Sequence, residues 1–422
     1  MSVSPALALE LITVSTRILC LNGQTTHRIV VDAELIGRSL GYSISIFPAW
    51  GQFVIKLDNL PDLVQEDARI SSRIQVLDVA PVGVDINKVS QTSGVLDAVR
   101  SGALSVEQAL NKLDAISKLS PASHSRFIVM AGVGAAALAL IFGVTDLISL
   151  LVIFLSASAG AAVRRVVARF SRSLFLQPLV ASLLAGLLGA ILQKMNFDGP
   201  LQFIEVCPCM ILVPGVHIIN GSLDLARGRI SLGMARLTYS GLIVLMICLG
   251  LLLGLSLGGQ SLAPEVVGHQ LPLIFDVLAA TLAIAAFGTF FSMPWRDLMV
   301  PMCIGAIAHA IRWGVIEMGL DVVTGAAAAC FFAGLVATPL AHRLRLPFAA
   351  FAFASVVSLM PGVFLFRMSS ALIEIYKLGG KSTDAILGQA ASDAMSAMMI
   401  CLAIAFGLIV PKLVLDRYIY DA

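Results

Sequence analysis

Ten apolar segments, each nearly long enough to cross a bilayer, follow a polar N-terminal stretch and restrict the folds open to this chain. A hydrocarbon core of about 30 Å requires roughly 20 predominantly apolar helical residues. The composition agrees, because 13% of the residues are charged, whereas soluble domains average roughly 25%. We therefore predict a mainly α membrane protein, a polytopic bundle of about ten transmembrane helices. The predicted spans are residues 127–145, 147–163, 175–193, 201–220, 237–257, 271–292, 301–319, 322–341, 347–367 and 395–411.

Residues 1–125 differ from the rest, because charged side chains recur in them every few residues. Helical periodicity and polar–apolar alternation predict a small α+β cytosolic domain here. The predicted helices are residues 7–21, 26–40, 86–100 and 106–116, and the predicted strands are residues 42–47, 53–57 and 73–79. Ser105 and Gln108 are expected to form a capping box at the last of these helices. The first residues carry neither a basic region nor a small-residue cleavage site, so we expect no signal peptide.

An enzymatic role for this region, as a membrane-anchored hydrolase, is an alternative from another class of function. His27, Asp32 and Glu34 are its candidate chemical groups. Asp32 and Glu34 point to different faces of a helix, and the region contains no phosphate loop, metal-ligand spacing or nucleophile–base set. We therefore interpret these side chains as solvated surface and predict that the protein is not an enzyme.

Two of the apolar segments contain the same short motif, Leu-x-Pro-Gly-Val, at Pro214-Gly215 and at Pro361-Gly362, 147 residues apart. A helix that breaks within a membrane frees backbone polar groups, which is tolerated only inside protein or beside a water-filled cavity. Broken helices at corresponding places in two halves point to a transporter's binding site. We predict two five-helix repeats, residues 126–258 and 259–422, inverted because five is odd. Two unrelated kinks are the alternative.

Arginine and lysine concentrate in alternate connections between the predicted spans. One set of connections holds only Lys194, Lys377 and Lys381. The other set holds twelve: Arg164, Arg165, Arg169, Arg172, Arg227, Arg229, Arg236, Arg296, Arg343, Arg345, Lys412 and Arg417. The positive-inside rule predicts that these twelve face the cytoplasm. Both termini and the N-terminal domain are then cytoplasmic.

Polar side chains inside predicted spans are candidate site residues, because burying them in lipid is costly. His217, Asn220 and Asp224 share one helix face beyond the first break. Asn220 is a candidate for hydrogen bonding to a substrate hydroxyl. His217 is a candidate proton carrier, since histidine titrates near neutral pH. Two plainer alternatives stay open: Asp224 neutralises Arg227, and Asn220 joins helices.

The broken backbone itself is a further candidate. Carbonyls released before Pro214 and amides after Gly215 suit the ammonium and the carboxylate of an amino acid, with the restarted helix favouring the anion. Pro361 and Gly362 are expected to form the corresponding wall from the second half. The polar set after the first break is not duplicated there, so any site is asymmetric.

The seventh span carries His309 and Arg312 on one face, and Arg312 falls near the membrane's mid-depth. An arginine there rarely faces lipid. We expect it to line the cavity, either binding an anionic substrate group or pairing with Glu317, Asp276 or Glu205. A purely structural ion pair is the alternative.

Metal and disulfide chemistry is not expected. Six of the seven cysteines lie in apolar spans, where thiols behave as small hydrophobic groups. Cys207-Pro208-Cys209 has no neighbouring cluster of histidine or cysteine to complete a metal site. We therefore predict no metal and no cofactor.

The residues around the first break resemble a known signature. Val213 to Leu225, followed by Arg227-Gly-Arg-Ile, resembles the threonine/serine exporter family, in which a Pro-Gly-x-x-x-x-Asn-x-x-x-Asp run ends the fourth span. Residues 85–105 and 109–116 resemble that family's segment before its first span. The resemblance implies export of threonine and serine from the cytosol, coupled to the proton motive force. Two-chain relatives are linked to export of dicarboxylates such as succinate.

Together these observations predict a secondary exporter of small hydrophilic amino acids in a plasma membrane, the bacterial inner membrane first. Export of dicarboxylates is the variant that Arg312 and Arg367 would favour. A channel would carry a ring of like residues or a repeated filter, and the sequence contains neither. The predicted partners are the lipid bilayer, the amino-acid substrate and protons, without nucleic acid; a homo-oligomer remains open.

Overall fold

The computed structural model describes residues 3–59, 73–80, 83–171, 173–262, 271–379 and 383–420. Arg172 and Lys381, two of the cations counted above, lie outside these ranges. Within them the chain forms an N-terminal part of helices and strands, followed by a bundle of apolar helices.

The N-terminal part contains four helices and a three-stranded antiparallel sheet of order β1-β2-β3 within the described ranges. Its elements are α1 (Pro5–Leu21), α2 (Thr26–Ser39), β1 (Tyr42–Ala49), β2 (Gly51–Asn59), β3 (Arg73–Val79), α3 (Ile86–Arg100) and α4 (Val106–Ser117). Apolar residues alternate with polar ones along β1 and β2, so one face of the sheet is buried, with Ile44 opposite Leu57. The predicted capping box of Ser105 and Gln108 is present.

The bundle contains the helices α5 (His124–Ile141), α6 (Leu147–Phe170), α7 (Leu176–Lys194), α8 (Leu201–Met210), α9 (Gly215–Ala226), α10 (Ile230–Leu257), α11 (Leu273–Phe290), α12 (Trp295–Glu317), α13 (Val322–Arg343), α14 (Phe348–Val356), α15 (Gly362–Leu378) and α16 (Asp384–Tyr420). Among the described residues, eight helices are long and apolar enough to cross a membrane, and ten spans result if each bent pair counts as one. The prediction of a polytopic helical protein is therefore confirmed.

Several predicted spans are shorter than the helices found, and the second and the last illustrate the reason. The second was predicted to end at residue 163, but α6 continues to Phe170, because arginine is a good helix former and the segment contains no breaker. The last was predicted as residues 395–411, but α16 has 37 residues. Its polar ends stay helical because Asp393 pairs with Arg367 on α15 and Lys412 pairs with Asp416 one turn away.

Both predicted breaks are present. α8 and α9 are bent by 57° around Pro214. A 3-10 turn, Val357–Leu359, follows α14, and α15 restarts after Pro361 at an angle of 69°. Proline lacks the backbone N–H that an unbroken helix needs, which is why each helix ends before it and restarts at the glycine.

The packing of the first five spans recurs in the last five. α5 packs on α6, α6 on α7 and α8, and α7 on α10; in the same order, α11 packs on α12, α12 on α13 and α14, and α13 on α16. The contact between α7 and α10 is close because Gly250 and Gly254 face the backbone of α7. These four helix contacts in the first set therefore each have a counterpart in the second.

Candidate functional site

The two broken helices meet each other at their glycines. Gly215, the first residue of α9, lies against the ring of Phe353 on α14. Gly362, the first residue of α15, lies against Met210 at the end of α8. A Cβ atom at either glycine would overlap the neighbouring side chain. Each break is thus packed against the half-helix that precedes the other break.

A cavity of about 180 Å³ lies at the first break, far above the roughly 10–15 Å³ that one water molecule needs. Its walls come from five spans (α6, α7, the bent pair α8 and α9, α10 and α11) and from the connection before α3. The lining residues are Gly83, Val84, Arg164, Leu174, Gln177, Pro178, Ile211, Leu212, Val213, Pro214, Gly215, Val216, His217, Tyr239, Ile243, Phe290 and Phe291. The freed backbone at Pro214 therefore borders a hollow inside the protein, as the physics of a broken membrane helix requires.

His217 lies in the wall of this cavity, where its ring contacts Tyr239 of α10 edge-on, with 5.4 Å between ring centroids. Pro214 and Gly215 also border it. Pro361 and Gly362 do not line this cavity; they contribute to the crossing of the broken helices instead.

Arg164 brings a positive charge to the cavity that the sequence analysis did not assign to the site. Its guanidinium lies over the ring of Phe290, 5.1 Å from the centroid. Within the described ranges no carboxylate lies at ion-pair distance from it. The sequence offered no signal for this role, because Arg164 looks like one member of a cytoplasmic arginine cluster.

Asn220 and Asp224 do not line the cavity, although they were predicted to contact substrate. Asn220 Nδ2 donates to the carbonyl of Gly23, 3.2 Å away, in the loop between α1 and α2. Asp224 Oδ2 accepts a hydrogen bond from Thr26 Oγ1 at 3.0 Å. Both side chains therefore hold the N-terminal part against α9.

The ionic partner of Asp224 is Arg236 of α10, at 3.0 Å, with Arg229 more distant at 3.6 Å. Arg236 is fully buried and also donates to Thr26 Oγ1 at 3.2 Å. The sequence analysis offered Arg227 as the residue that Asp224 neutralises; the ion pairs of Asp224 are with Arg236 and Arg229, and Arg227 pairs with Asp416 of α16. The reason is the fold: α9 and α10 pack as a hairpin, which brings Arg236 beside Asp224.

Further contacts attach the N-terminal part to the same end of the bundle. Arg28 donates to His342 Nδ1 at 2.9 Å, and Arg345 forms an ion pair with Asp97 at 2.6 Å. The backbone amide of Ile86 donates to the carbonyl of Phe291, the C-cap residue of α11, at 2.9 Å. This end carries the ends of α6, α9, α11, α13 and α16, where the arginine-rich connections lie.

Burial perturbs three groups of the N-terminal part. Asp32 is 5% exposed and pairs with Arg28, so its interpretation as solvated surface is wrong; burial outweighs that partner and raises the pKa of its carboxyl. Burial also raises the pKa of Asp85, the N-cap of α3. The thiol of Cys20, close to Arg236 and Asp224, has its pKa raised to about 12 by burial.

A second buried polar group lies beside the second break. His309 Nδ1 is 2.9 Å from Asp276 Oδ2 of α11, and His309 Nε2 contacts the hydroxyl of Ser358 in the 3-10 turn. A carboxylate only accepts, so Nδ1 donates to Asp276, and Nε2 of a neutral ring accepts from Ser358. All three side chains are buried. The sequence analysis had selected His309 but not Asp276 and Ser358 as its partners.

Arg312 forms no ion pair with its three candidate partners Asp276, Glu205 and Glu317, although the charge of Asp276 acts on it at longer range. Asp276 is engaged with His309, Glu205 accepts from Gln193 at 2.7 Å, and Glu317 is exposed. Across the described residues, no carboxylate lies at ion-pair distance from Arg312, which packs near the start of α13. The sequence places Arg312 one helical turn from His309, but this spacing does not show which of the two side chains pairs with Asp276.

Two family models match the chain, one over each part of the helix bundle, and both describe threonine/serine exporters. A family model described as "Putative threonine/serine exporter" matches residues 10–258, and one described as "Threonine/Serine exporter, ThrE" matches residues 276–414. No solved structure matches the chain.

Three curated relatives are similar over parts of their length. An uncharacterized protein of Haemophilus influenzae is 26% identical over 148 residues, 35% of this chain and 49% of that protein. A "Probable threonine/serine exporter" of Mycobacterium tuberculosis is 22% identical over 322 residues, which are 71% of this chain and 60% of that protein. A "Probable succinate transporter subunit YjjP" of Escherichia coli is 31% identical over 71 residues, which are 17% of this chain and 28% of that protein. The chain spans less than two thirds of each relative.

Proposed function

The chain belongs to the threonine/serine exporter family, and we propose from this premise that it is a secondary transporter that exports threonine and serine from the cytosol in exchange for protons. The observation that carries the proposal is the cavity beneath the broken backbone at Pro214. A transporter needs a polar chamber within its spans, and broken helices supply backbone groups that bind ions and zwitterions there.

The architecture that we propose is a pair of inverted five-helix repeats behind a cytosolic domain. The matching helix partners in the two sets of spans support a repeat. So do the reciprocal contacts of Gly215 and Gly362, each against the other set's broken helix. Inversion follows because an odd number of spans reverses the direction of the second repeat. The proposed boundaries are residues 1–125, 126–258 and 259–422.

The proposed membrane is the bacterial inner membrane, with both termini in the cytoplasm. Supporting this orientation, Arg236 and Arg345 on the arginine-rich side of the bundle contact Thr26 and Asp97 of the N-terminal part. Under the positive-inside rule this side is cytoplasmic. Asn220 and Asp224 then hold the N-terminal domain over the cytosolic end of the cavity, with Val84 forming part of its wall.

The proposed substrate contacts come from the first break. The carbonyls before Pro214 suit the substrate ammonium, and the start of α9 at Gly215 suits its carboxylate. His217 lies in the same wall and is the proposed proton acceptor nearest the substrate. Pro361 and Gly362 contribute by fixing the crossing of α15 with α8.

Proton coupling is assigned to Asp276, His309 and Ser358. Protonating His309 Nε2 would remove its acceptor for the Ser358 hydroxyl, while Asp276 would stabilise the resulting imidazolium. Ser358 belongs to the turn that precedes the second break, so this proton would act directly on a broken helix. Arg312 lies one turn beyond His309 and would oppose the added charge, which keeps the protonated state transient.

The test is counterflow in proteoliposomes with labelled threonine, serine and succinate, with and without a pH gradient. We expect exchange of threonine and serine and its stimulation by the gradient. Exchange of succinate without exchange of threonine or serine would show that the proposed substrate is wrong.

The second candidate, a dicarboxylate exporter, is favoured by the similarity to the succinate transporter subunit. Arg367 gives it no support, because Asp393 neutralises that side chain.

A further inference from the structure

We infer that Arg164 binds the carboxylate of the transported amino acid in the cavity at the first break. The inference rests on the proposed function and adds a residue that neither the family signature nor the arginine pattern assigned to the site. It concerns the recognition of a carboxylate, the group common to threonine, serine and dicarboxylates.

The first argument is the missing counter-charge. Arg164 borders the cavity, and within the described parts of the chain no carboxylate lies at ion-pair distance from it. An ionised side chain in a membrane protein is normally paired or faces a water-filled cavity on a substrate pathway. The other polar side chains in the wall, Gln177, His217 and Tyr239, include no acid. A carboxylate brought in by substrate would complete the pair.

The second argument is the geometry of the guanidinium. Its Cζ lies 5.1 Å from the centroid of the Phe290 ring and 6.0 Å from that of Phe127. An aromatic ring attracts the cation through its quadrupole and accepts no conventional hydrogen bond from the N–H donors. Those donors therefore stay available for a carboxylate, which arginine binds through two parallel hydrogen bonds.

The third argument is that another part of the cavity wall suits the other end of an amino acid. Among the backbone hydrogen bonds of the described residues, none is accepted by the carbonyls of Ile211 or Leu212, which precede Pro214 in the cavity wall. These oxygens match an ammonium group. The start of α9 at Gly215 adds the positive end of a helix dipole to the same cavity, where it also favours a carboxylate. One cavity thus offers complementary groups to both charges of a zwitterion.

Arg165, the next residue, provides a matched control. It donates to the carbonyl of Ala122 at 3.1 Å and lies over Phe127 at 4.2 Å, so its environment accounts for it without a ligand. It does not line the cavity. Arg165→Gln removes the same charge from the same helix end and should leave substrate recognition unchanged.

The experiment compares wild type, Arg164→Gln, Arg164→Lys and Arg165→Gln in threonine counterflow, with threoninamide as a competitor that lacks the carboxylate. We expect Arg164→Gln to raise the half-saturating threonine concentration roughly 10- to 100-fold, the value of a hydrogen bond to a charged group. The half-saturating concentration of Arg164→Lys should lie between those of wild type and Arg164→Gln, because lysine keeps the charge but loses the bidentate geometry. Inhibition by threoninamide should be weak and equal in all four proteins.

Two results would overturn the inference: an unchanged half-saturation in Arg164→Gln, or a parallel loss of threonine and threoninamide binding, which indicates a structural role. Thermal melting of each variant in detergent identifies a misfolded protein. If wild type exchanges succinate but not threonine, the proposed substrate is wrong. The role of Arg164 is then tested by the same comparison, with succinate as the substrate and succinamide as the competitor that lacks the carboxylates.

Discussion

The ion pair of Asp224 and Arg236 provides the sharpest test of how the N-terminal part is attached. Arg236 is 0% exposed and Asp224 is 2% exposed, with 3.0 Å between the charged atoms. In Asp224→Ala the guanidinium stays buried without its carboxylate, which costs about 3–5 kcal/mol. Thr26 also loses its acceptor, for about 1 kcal/mol. Asp224→Asn keeps an acceptor oxygen and should cost less.

The assay is thermal unfolding in detergent, combined with alkylation of Cys20. For cooperative units of 150–250 residues, 1 kcal/mol corresponds to about 2–4 °C, so the combined loss of about 4–6 kcal/mol in Asp224→Ala should lower Tm by roughly 8–24 °C. Cys20 is buried beside this pair and has a pKa raised to about 12, so it should resist maleimide near neutral pH in wild type. It should become reactive in Asp224→Ala, because the loop after α1 loses its attachment.

A double variant separates the ion pair from a general loss of packing. Asp224→Leu with Arg236→Met removes both charges and should be more stable than either single change. Asp97→Ala is the control, because its partner Arg345 is half exposed and the pair should be worth less than about 1 kcal/mol. Additive losses in the double variant would refute the reasoning. So would an Asp224→Ala protein of wild-type stability that no longer binds substrate.

Three further predictions follow from the same structure. Gly215→Ala should lower stability by about 1–3 kcal/mol through overlap with the ring of Phe353, and Phe353→Leu should restore part of it; a melting temperature equal to wild type would contradict the packing. His309→Gln should preserve threonine counterflow but abolish its stimulation by a pH gradient, and retained stimulation would exclude His309 from coupling. Because burial raises the pKa of Asp85, the folded state holds this proton more tightly, and stability should fall as pH rises from about 4 through the raised value. Asp85→Asn keeps a good N-cap and should flatten that part of the pH–stability profile, whereas an unchanged profile would assign it to another group.

Features that depend on a few neighbouring residues could be predicted from the sequence. Apolar length identified the membrane helices, and proline followed by glycine identified both breaks, because the missing N–H acts within one helical turn. The capping box at Ser105 is equally local. The prediction did not include the polar ends of α6 and α16. Hydropathy indicates which helical residues contact lipid, whereas a helix continues as far as its backbone hydrogen bonds do.

The roles of individual polar residues depended on tertiary structure. Asp224 and Thr26 are 198 positions apart in the chain, and no local pattern indicates that they meet. Arg164 looks like an ordinary cytoplasmic arginine until Phe290 and the break at Pro214 enclose it. Charge and hydrogen bonding act over a few ångströms in space, whereas sequence patterns report spacing along one helix. The sequence alone therefore determined a polytopic helical protein with two broken helices, and only the packing of its helices decided which charges face the cavity and which hold the N-terminal part in place.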